Sequence, residues 1–174
     1  LAYHEHSSEK IILNIVSLLL AGKNIAYIVD AGTPGISDPG NYLVRKVSEL
    51  APEVSIIPIP GPSALTAALS VSGLQGSSFL FLGFPPHKKG RRAFFEQVVV
   101  SKHPVVLYES PYRILRTLKE LSDIGLSMFE CTLIKEISKV YERVLRMSID
   151  DLQKEISKDK KIRGEFVLVI NKKT

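Results

Sequence analysis

Apolar residues recur every three or four positions from Ile11 to Leu19, which predicts a helix that starts at Ser7 or Ser8 and ends before Gly22. Two short, continuous apolar runs, 25–29 and 54–57, predict strands that are buried on both faces. The same pattern adds further elements in this half of the chain: helices near 41–50 and 64–73 and a strand at 79–82. Strands that alternate with helices in this way are typical of a parallel sheet with helices on both sides.

A second series of elements follows the segment 83–90, which is rich in proline, glycine and lysine and is typical of a linker. The predicted elements are a helix near 91–100, a strand at 105–108, a helix at 111–121, strands at 128–134 and 142–147, a helix at 149–156 and a strand at 166–170. We therefore predict two small α/β domains, residues 1–82 and 83–174.

The composition is that of a globular protein with a sizeable core. Of the 174 residues, 45% are hydrophobic and 24% are charged, and no apolar run is long enough to predict a membrane span. The single cysteine, Cys131, lies in an apolar stretch, which predicts a buried, inert thiol and a reducing, cytoplasmic location. The sequence starts with Leu1, within what reads as a structural element, so we interpret the chain as a fragment.

The charge is distributed unevenly along the chain. Residues 1–82 contain 4 Lys and Arg against 6 Asp and Glu, whereas residues 83–174 contain 19 against 12. A basic second half indicates an anionic partner, of which nucleic acid is the usual one. A solvated, lysine-rich surface explains the same count, and charge alone does not separate the two interpretations.

Two glycine-containing loops follow predicted strands. The loop 30–40 holds three glycines, and 60–64 reads Pro-Gly-Pro-Ser-Ala directly before a helix. Loops at the carboxyl ends of parallel strands are where open α/β folds bind ligands, so we expect these two to line one crevice. The first loop matches neither a P-loop nor a dinucleotide fingerprint. Ser63 is expected to cap the helix, whose first N–H groups are also able to receive a ligand.

Two segments of the second half remain open at this stage. Glu109, at the end of a predicted strand, is a buried polar anchor, a cofactor contact or a cap. The segment 135–143 alternates in charge and is either an exposed connector or a substrate-facing loop. His4 and His6 have metal-ligand spacing, but no further ligand stands near them, so a metal site is not predicted.

Taken in order, these segments resemble the tetrapyrrole-methylase superfamily and, within it, the enzymes that methylate small-subunit ribosomal RNA. The segments that carry the resemblance are 3–6, 30–40, 58–64, 83–84 with the basic stretch after it, 108–113 and 164–169. The resemblance implies a mostly parallel sheet in the first domain, a mixed sheet in the second, and S-adenosylmethionine as cofactor in the cleft between them. It also implies 2′-O-methylation of a cytidine in 16S ribosomal RNA, a homodimer, and a strand, helix and strand that precede Leu1 in the family.

The resemblance, the chemistry of methyl transfer and the positive charge of the second half assign residues to three roles. The methyl donor is expected at Asp30, Ala31, Gly32, Thr33, Gly35, Ile36, Ser63, Ala64, Tyr108, Glu109, Gly164, Glu165 and Phe166. Glu136 and Glu109 are the candidates for accepting the proton of the ribose hydroxyl, with Lys135 orienting the substrate. RNA phosphates are expected at Lys88, Lys89, Arg91, Arg92 and Arg113.

Two other functions remain possible from the sequence. The same fold also serves enzymes that methylate a tetrapyrrole or a protein side chain, although such substrates need no basic surface. A non-catalytic module that binds ribosomal RNA or the small ribosomal subunit is the alternative outside catalysis.

Overall fold

The computed structural model describes residues 1–4, 7–74 and 77–171, which divide into two compact units, Leu1–Ser63 and Ala64–Thr174. The sequence placed the boundary between domains after Leu82. The contacts place it after Ser63 instead, because the helix at Ala64–Ser72 packs on the sheet of the second unit and the strand at Leu80–Gly83 belongs to that sheet. The proline-rich segment 83–90 therefore connects two elements of one unit.

The first unit contains the helices α1 (Glu9–Leu20) and α2 (Asn41–Leu50). Their buried residues repeat at helical spacing and form one apolar cluster with Ala51: Ile12, Ile15 and Val16 on α1, and Leu43 and Val47 on α2. Both helices were predicted from this periodicity, and both predictions are confirmed.

The prediction of strands at 25–29 and 54–57 is wrong for this structure. In the described part of the first unit, neither run belongs to a strand, and the side chains of Ile28 and Ile57 are 83% and 73% exposed. An apolar run shows that its side chains favour burial, but a strand also needs a neighbouring strand with which to pair. The mostly parallel sheet expected in the first unit is therefore not present in its described residues.

The second unit is a five-stranded sheet with helices on both faces. Its elements are α3 (Ala64–Ser72), β1 (Leu80–Gly83), α4 (Arg91–Val100), β2 (Val105–Glu109), α5 (Ile114–Leu121), β3 (Glu130–Lys135), β4 (Arg143–Ser148), α6 (Ile149–Ser157) and β5 (Phe166–Ile170). The strand order is β1-β2-β5-β3-β4, in which β1 and β2 are parallel and the other neighbours are antiparallel. The α/β class and the mixed sheet of this unit are confirmed.

The two faces of the sheet bury different side chains. One face packs against α4, α5 and α6, and the other packs against α3. Because β5 contributes alternate residues to both faces, all five of its side chains are buried. Cys131 on β3 is also buried, and this burial raises the pKa of its thiol, which agrees with the predicted inert cysteine.

One edge of this sheet collects the residues of interest. At this edge, called the carboxyl edge below, β1, β2 and β3 end and β4 and β5 begin. The register places Glu109, Phe166, Lys135 and Arg143 in one row across β2, β5, β3 and β4. Four loops therefore meet the sheet at its carboxyl edge: those that follow β1, β2 and β3, and the one that precedes β5.

Candidate functional site

The glycine-rich loop 30–40 of the first unit is held by side chains that bond to its backbone. The Asn41 side-chain amide donates to the Gly35 carbonyl oxygen at 2.8 Å, and the Tyr27 hydroxyl donates to the Pro39 carbonyl oxygen at 3.0 Å. Gly35 has a φ of 85°, and a β carbon there would lie 2.6 Å from Oδ1 of Asn41. Glycine is therefore required both for the backbone conformation and for the space that the amide occupies.

The loop that carries Pro62 lies against this first loop. The Thr33 hydroxyl donates to the Pro62 carbonyl oxygen at 3.2 Å, and a β carbon on Gly32 would lie 3.7 Å from the same oxygen. The sequence predicted that the two loops would lie side by side, and this contact joins them within the first unit. Ser63 ends that unit, and Ala64 begins α3 in the second unit.

The predicted donor-binding residues of loop 30–40 face solvent to different extents. Asp30, Ala31 and Ile36 are exposed, whereas Thr33 and Gly35 are partly buried. The loop thus presents a carboxylate, an apolar side chain and open backbone on one short stretch. This combination suits a ligand that has both polar and apolar parts.

Glu109, at the end of β2, is an internal anchor. Its carboxylate is fully buried and accepts hydrogen bonds from the Thr117 hydroxyl at 2.6 Å and from the Ser110 N–H at 2.7 Å. The Arg113 guanidinium lies 2.8 Å from the same carboxylate. A carboxylate so enclosed is committed to protein groups, so the structure favours the buried anchor among the three roles that the sequence left open.

Two of the predicted RNA-binding arginines point inward. Arg91 is 5% exposed; it bonds to Glu120, to the Thr117 hydroxyl at 3.0 Å and to the Pro86 carbonyl oxygen at 2.7 Å. Arg113 pairs with Glu109 and donates to the Pro85 carbonyl oxygen at 2.9 Å. Their guanidinium groups fix the loop after β1 and are not available to a phosphate, which corrects the prediction for both residues.

The other three predicted RNA-binding residues lie on the surface. Lys88 and Lys89 are exposed in the loop between β1 and α4. The Arg92 side chain is 94% exposed, and its guanidinium is 3.1 Å from Glu96. An ion pair at this exposure contributes little and is easily exchanged for another anion. The outward part of the predicted basic run is therefore Lys88, Lys89 and Arg92.

Glu136, directly after β3, is joined to the segment that leads into β5. Its Oε1 accepts hydrogen bonds from the Glu165 N–H at 3.0 Å and from the Lys139 ammonium at 2.9 Å. The bond from Lys139, followed by that from the Glu165 amide, holds the pKa of Glu136 below its ordinary value, although partial burial opposes the shift. Glu136 is therefore a carboxylate at neutral pH.

Gly164 makes this arrangement possible. Its φ is 96°, and a β carbon at this position would lie 2.4 Å from Cγ and 2.6 Å from Cδ of Glu136. The space beside Gly164 is thus filled by the Glu136 side chain. The structure therefore brings three of the predicted site residues, Glu136, Gly164 and Glu165, into contact with one another.

Lys135 has a different partner from the one expected. Its ammonium bonds to Asp159 at 2.8 Å, and its side chain is mostly buried beside the Phe166 ring, 5.9 Å from the ring centroid. Tyr108 packs edge-on against Phe81 with a distance of 4.9 Å between the ring centroids. These residues lie at the carboxyl edge, but the charge of Lys135 is directed to Asp159.

Sequence reasoning missed three residues of this region: Thr117, Lys139 and Asp159. A signal for Thr117 was present, because it lies on the apolar stripe of α5 with Ile114, Leu118 and Leu121, where a polar residue needs a buried partner. Lys139 and Asp159 gave no such signal. Lys139 bonds to the nearby Glu136, but its second partner, Glu165, lies 26 residues away along the chain, and the partner of Asp159, Lys135, lies 24 residues away. Only the fold brings these distant partners together.

Within residues 1–4, 7–74 and 77–171, no helix combines the length and the hydropathy that a membrane span requires. The same residues contain no cluster of three or more His, Cys, Asp or Glu that is able to hold a metal ion. Glu5 and His6 of the His4 motif lie outside the described residues.

Comparisons with known proteins give a consistent result. Residues 3–153 match the family model of Tetrapyrrole (Corrin/Porphyrin) Methylases. Ribosomal RNA small subunit methyltransferase I of Xylella fastidiosa is 39% identical over 98% of this chain and 62% of its own length. The protein of that name from Thermotoga maritima is 38% identical over 99% of this chain and 76% of its own length.

A solved structure shares the fold. Uroporphyrin-III C-methyl transferase from Thermus thermophilus, complexed with S-adenosyl homocysteine, matches with a TM-score of 0.60 and 15% identity. The match covers 98% of this chain and 76% of that one.

Proposed function

This chain belongs to the tetrapyrrole (corrin/porphyrin) methylase family, and from that membership we propose that it is part of an S-adenosylmethionine-dependent methyltransferase of 16S ribosomal RNA. The proposed reaction is methylation of the ribose 2′-hydroxyl of a cytidine. One observation carries the proposal: relatives 38–39% identical over nearly the whole chain are named ribosomal RNA small subunit methyltransferase I. The chain spans 57–62% of the length of the first two such relatives, so the activity is proposed for the whole protein.

The loops of the first unit support binding of the donor. Loop 30–40 and the Pro62 loop are joined through Thr33, and the glycine at position 32 leaves the backbone open to close approach. The exposed Asp30 carboxylate suits the hydroxyl groups of a nucleoside, and the exposed Ile36 suits its base. When bound, the donor supplies an electrophilic methyl group and a thioether that leaves.

The chain's own contribution is to orient the substrate hydroxyl and to accept its proton. Of the three residues predicted to act in this step, Glu109 is enclosed and Lys135 is paired with Asp159. Glu136 is the remaining candidate: its bonds to Lys139 and Glu165 use Oε1, and among the described residues nothing donates to Oε2. Because the pKa of Glu136 is lowered, its carboxylate is a weak base that orients the hydroxyl and shares its proton.

Three features of the second unit support RNA as the substrate. Its net charge is positive, with Lys88, Lys89 and Arg92 exposed in and beside one loop. This loop follows β1 and therefore starts at the same edge of the sheet as Glu136. A cationic loop at this edge is able to hold backbone phosphates of an RNA whose target nucleotide lies at Glu136. The homodimer and the cytoplasmic location remain predictions.

Transfer of a labelled methyl group tests the proposed function. With S-adenosylmethionine as donor, we expect label in the ribose of 16S ribosomal RNA when small ribosomal subunits are supplied. Glu136→Gln should lower the rate about 10- to 100-fold while donor affinity stays constant, because proton acceptance is lost and the amide oxygen still bonds to Lys139. Glu130→Gln, at the opposite end of β3, is the matched control and should retain the rate. Label in a tetrapyrrole but not in RNA would contradict the assignment.

Neutralisation of the outward basic run gives a second test. We expect Lys88→Gln, Lys89→Gln and Arg92→Gln together to weaken binding of 16S ribosomal RNA about tenfold or more at moderate salt, and to flatten the salt dependence of binding. Donor affinity should not change. The control is Lys102→Gln, Lys119→Gln and Lys154→Gln, which removes the same charge from exposed positions of the same unit. Equal RNA affinities for the two triple variants, measured by fluorescence anisotropy, would show that the run is only a solvated surface.

A further inference from the structure

Two loops at the carboxyl edge are fastened to each other at both ends. One loop, 136–142, joins β3 to β4, and the other, 158–165, joins α6 to β5. At one end Asp159 bonds to Lys135 at 2.8 Å and to Arg143 at 3.3 Å. At the other end Glu165 is 3.0 Å from Lys139, and its carbonyl oxygen accepts from the Glu136 N–H at 2.9 Å. We call the surface that these loops form the two-loop surface.

Three of the four cations of loop 158–165 face outward without an ion pair, whereas the fourth, Lys158, pairs with Glu155. Lys160, Lys161 and Arg163 are exposed, and none of them has an ion pair with another described residue. In contrast, the acidic residues of the loop, Asp159 and Glu165, are neutralised by the cations on and beside the facing loop. Three unpaired positive charges within four residues therefore dominate the potential of this surface.

The facing loop presents an aromatic and an apolar side chain beside these charges. Val140 is 93% exposed and Tyr141 is 77% exposed. The loop is fixed from within: Lys139 N–H donates to the Glu136 carbonyl oxygen at 2.9 Å, and Ser138 N–H donates to the Glu142 carboxylate at 2.5 Å. Tyr141 thus projects from a defined turn, so holding it outward costs little additional conformational entropy.

We propose that the two-loop surface is a second RNA-binding element, in which Lys160, Lys161 and Arg163 contact phosphates and Tyr141 stacks on an unpaired base. This proposal rests on the proposed function for the nature of the substrate and adds a surface distinct from the Lys88 loop. Cations together with an outward aromatic ring are the combination that single-stranded RNA favours. Tyr141 is two residues from Arg143, whose partner Asp159 adjoins Lys160, so the ring and the charges lie on the same pair of fastened loops.

The location of this surface gives it a specific role. Glu136 begins the loop that carries Tyr141, and its Oε1 is bonded to the Glu165 N–H. An RNA strand held by the two-loop surface therefore passes the group that we assign to the substrate hydroxyl. We infer that this surface positions the nucleotides next to the target, whereas the Lys88 loop holds a more distant part of the backbone.

The test measures binding of a fluorescently labelled oligocytidine RNA to this chain over a range of salt concentrations. The triple variant Lys160→Gln, Lys161→Gln and Arg163→Gln should bind about tenfold or more weakly at moderate salt. It should also flatten the plot of log affinity against log salt by about 2, because three phosphate contacts to single-stranded RNA contribute about 0.7 each. Tyr141→Ala should weaken binding about tenfold with an unchanged salt slope, while Tyr141→Phe retains the affinity.

The control is the triple variant at Lys102, Lys119 and Lys154, which removes the same charge from positions outside both loops and should bind within about twofold of the original chain. If the Lys160 variant binds like this control, the two-loop surface is not an RNA-binding element, and the methyltransferase proposal stands unaffected. A loss of affinity for whole small subunits without any loss for free RNA would assign the surface to a ribosomal protein and overturn our proposal. If the original chain binds neither the oligocytidine nor whole small subunits, both proposals are overturned, and titration with S-adenosylhomocysteine then reports whether donor binding survives.

Discussion

Glu109→Ala is expected to lower the free energy of unfolding of the second unit by about 3–5 kcal/mol. The substitution removes the carboxylate that faces Arg113, and it also leaves the Thr117 hydroxyl and the Ser110 N–H without their acceptor. A buried cation without its counterion is more destabilising than the loss of a surface pair, because water does not replace the missing charge. Urea denaturation followed by far-ultraviolet circular dichroism measures the change.

Two further variants show whether burial is the cause. Glu96→Ala breaks another pair of arginine and glutamate four residues apart, but both side chains are largely exposed, so the expected loss is below about 1 kcal/mol. Glu109→Gln keeps an acceptor for one of the donors and should cost about 1–2 kcal/mol. If Glu109→Ala were no more destabilising than Glu96→Ala, Glu109 would not be an anchor and its role at the donor site would have to be reconsidered.

Gly164→Ala is expected to destabilise the second unit by about 2–3 kcal/mol and to displace the Glu136 carboxylate. A backbone at a φ of 96° is strained for alanine, and the new β carbon would lie 2.4 Å from Cγ of Glu136. The glutamate has to move, so it loses its bonds to Lys139 and the Glu165 N–H. Unfolding in urea measures the stability, and the methyl-transfer rate should fall at least as far as in Glu136→Gln.

Two comparisons separate the backbone strain at position 164 from the displacement of the Glu136 side chain. Gly125→Ala introduces alanine at a φ of 92° where nothing lies within 4 Å of the new atom, so only strain of about 1–2 kcal/mol is expected. In a background of Glu136→Ala, Gly164→Ala should cost no more than that, because the side chain that blocks the β carbon is gone. Additive effects of the two substitutions would mean that Glu136 does not fill the space beside Gly164.

Most elements of the second unit were predictable because their signals are local. The strand at 166–170 reads as a continuous apolar run, and the structure buries all five side chains. The runs 25–29 and 54–57 carry the same signal, yet their isoleucines are exposed. The difference is the presence of neighbouring strands, which periodicity does not encode. The insertion of β5 between β2 and β3 was not predictable for the same reason.

In the candidate site, the glycines that the backbone needs were predictable from the sequence. The directions in which the charged side chains point were not. Glycines at positions 35 and 164 mark turns that need positive φ, and both adopt it. Arg91 and Arg92 look equivalent as charges in the sequence, but one is buried against Glu120 and the other is exposed. Which way an arginine points depends on a carboxylate that is distant along the chain, so the inward pairs required the structure.

The position of β5 has a consequence for synthesis of the protein. During translation β1 and β2 emerge first and β3 and β4 follow, but the strand that lies between these pairs, β5, leaves the ribosome after all of them. Until Ile170 is made, β2 and β3 each expose an unpaired edge. The nascent second unit is therefore open to aggregation, or in need of chaperone protection, until its central strand arrives.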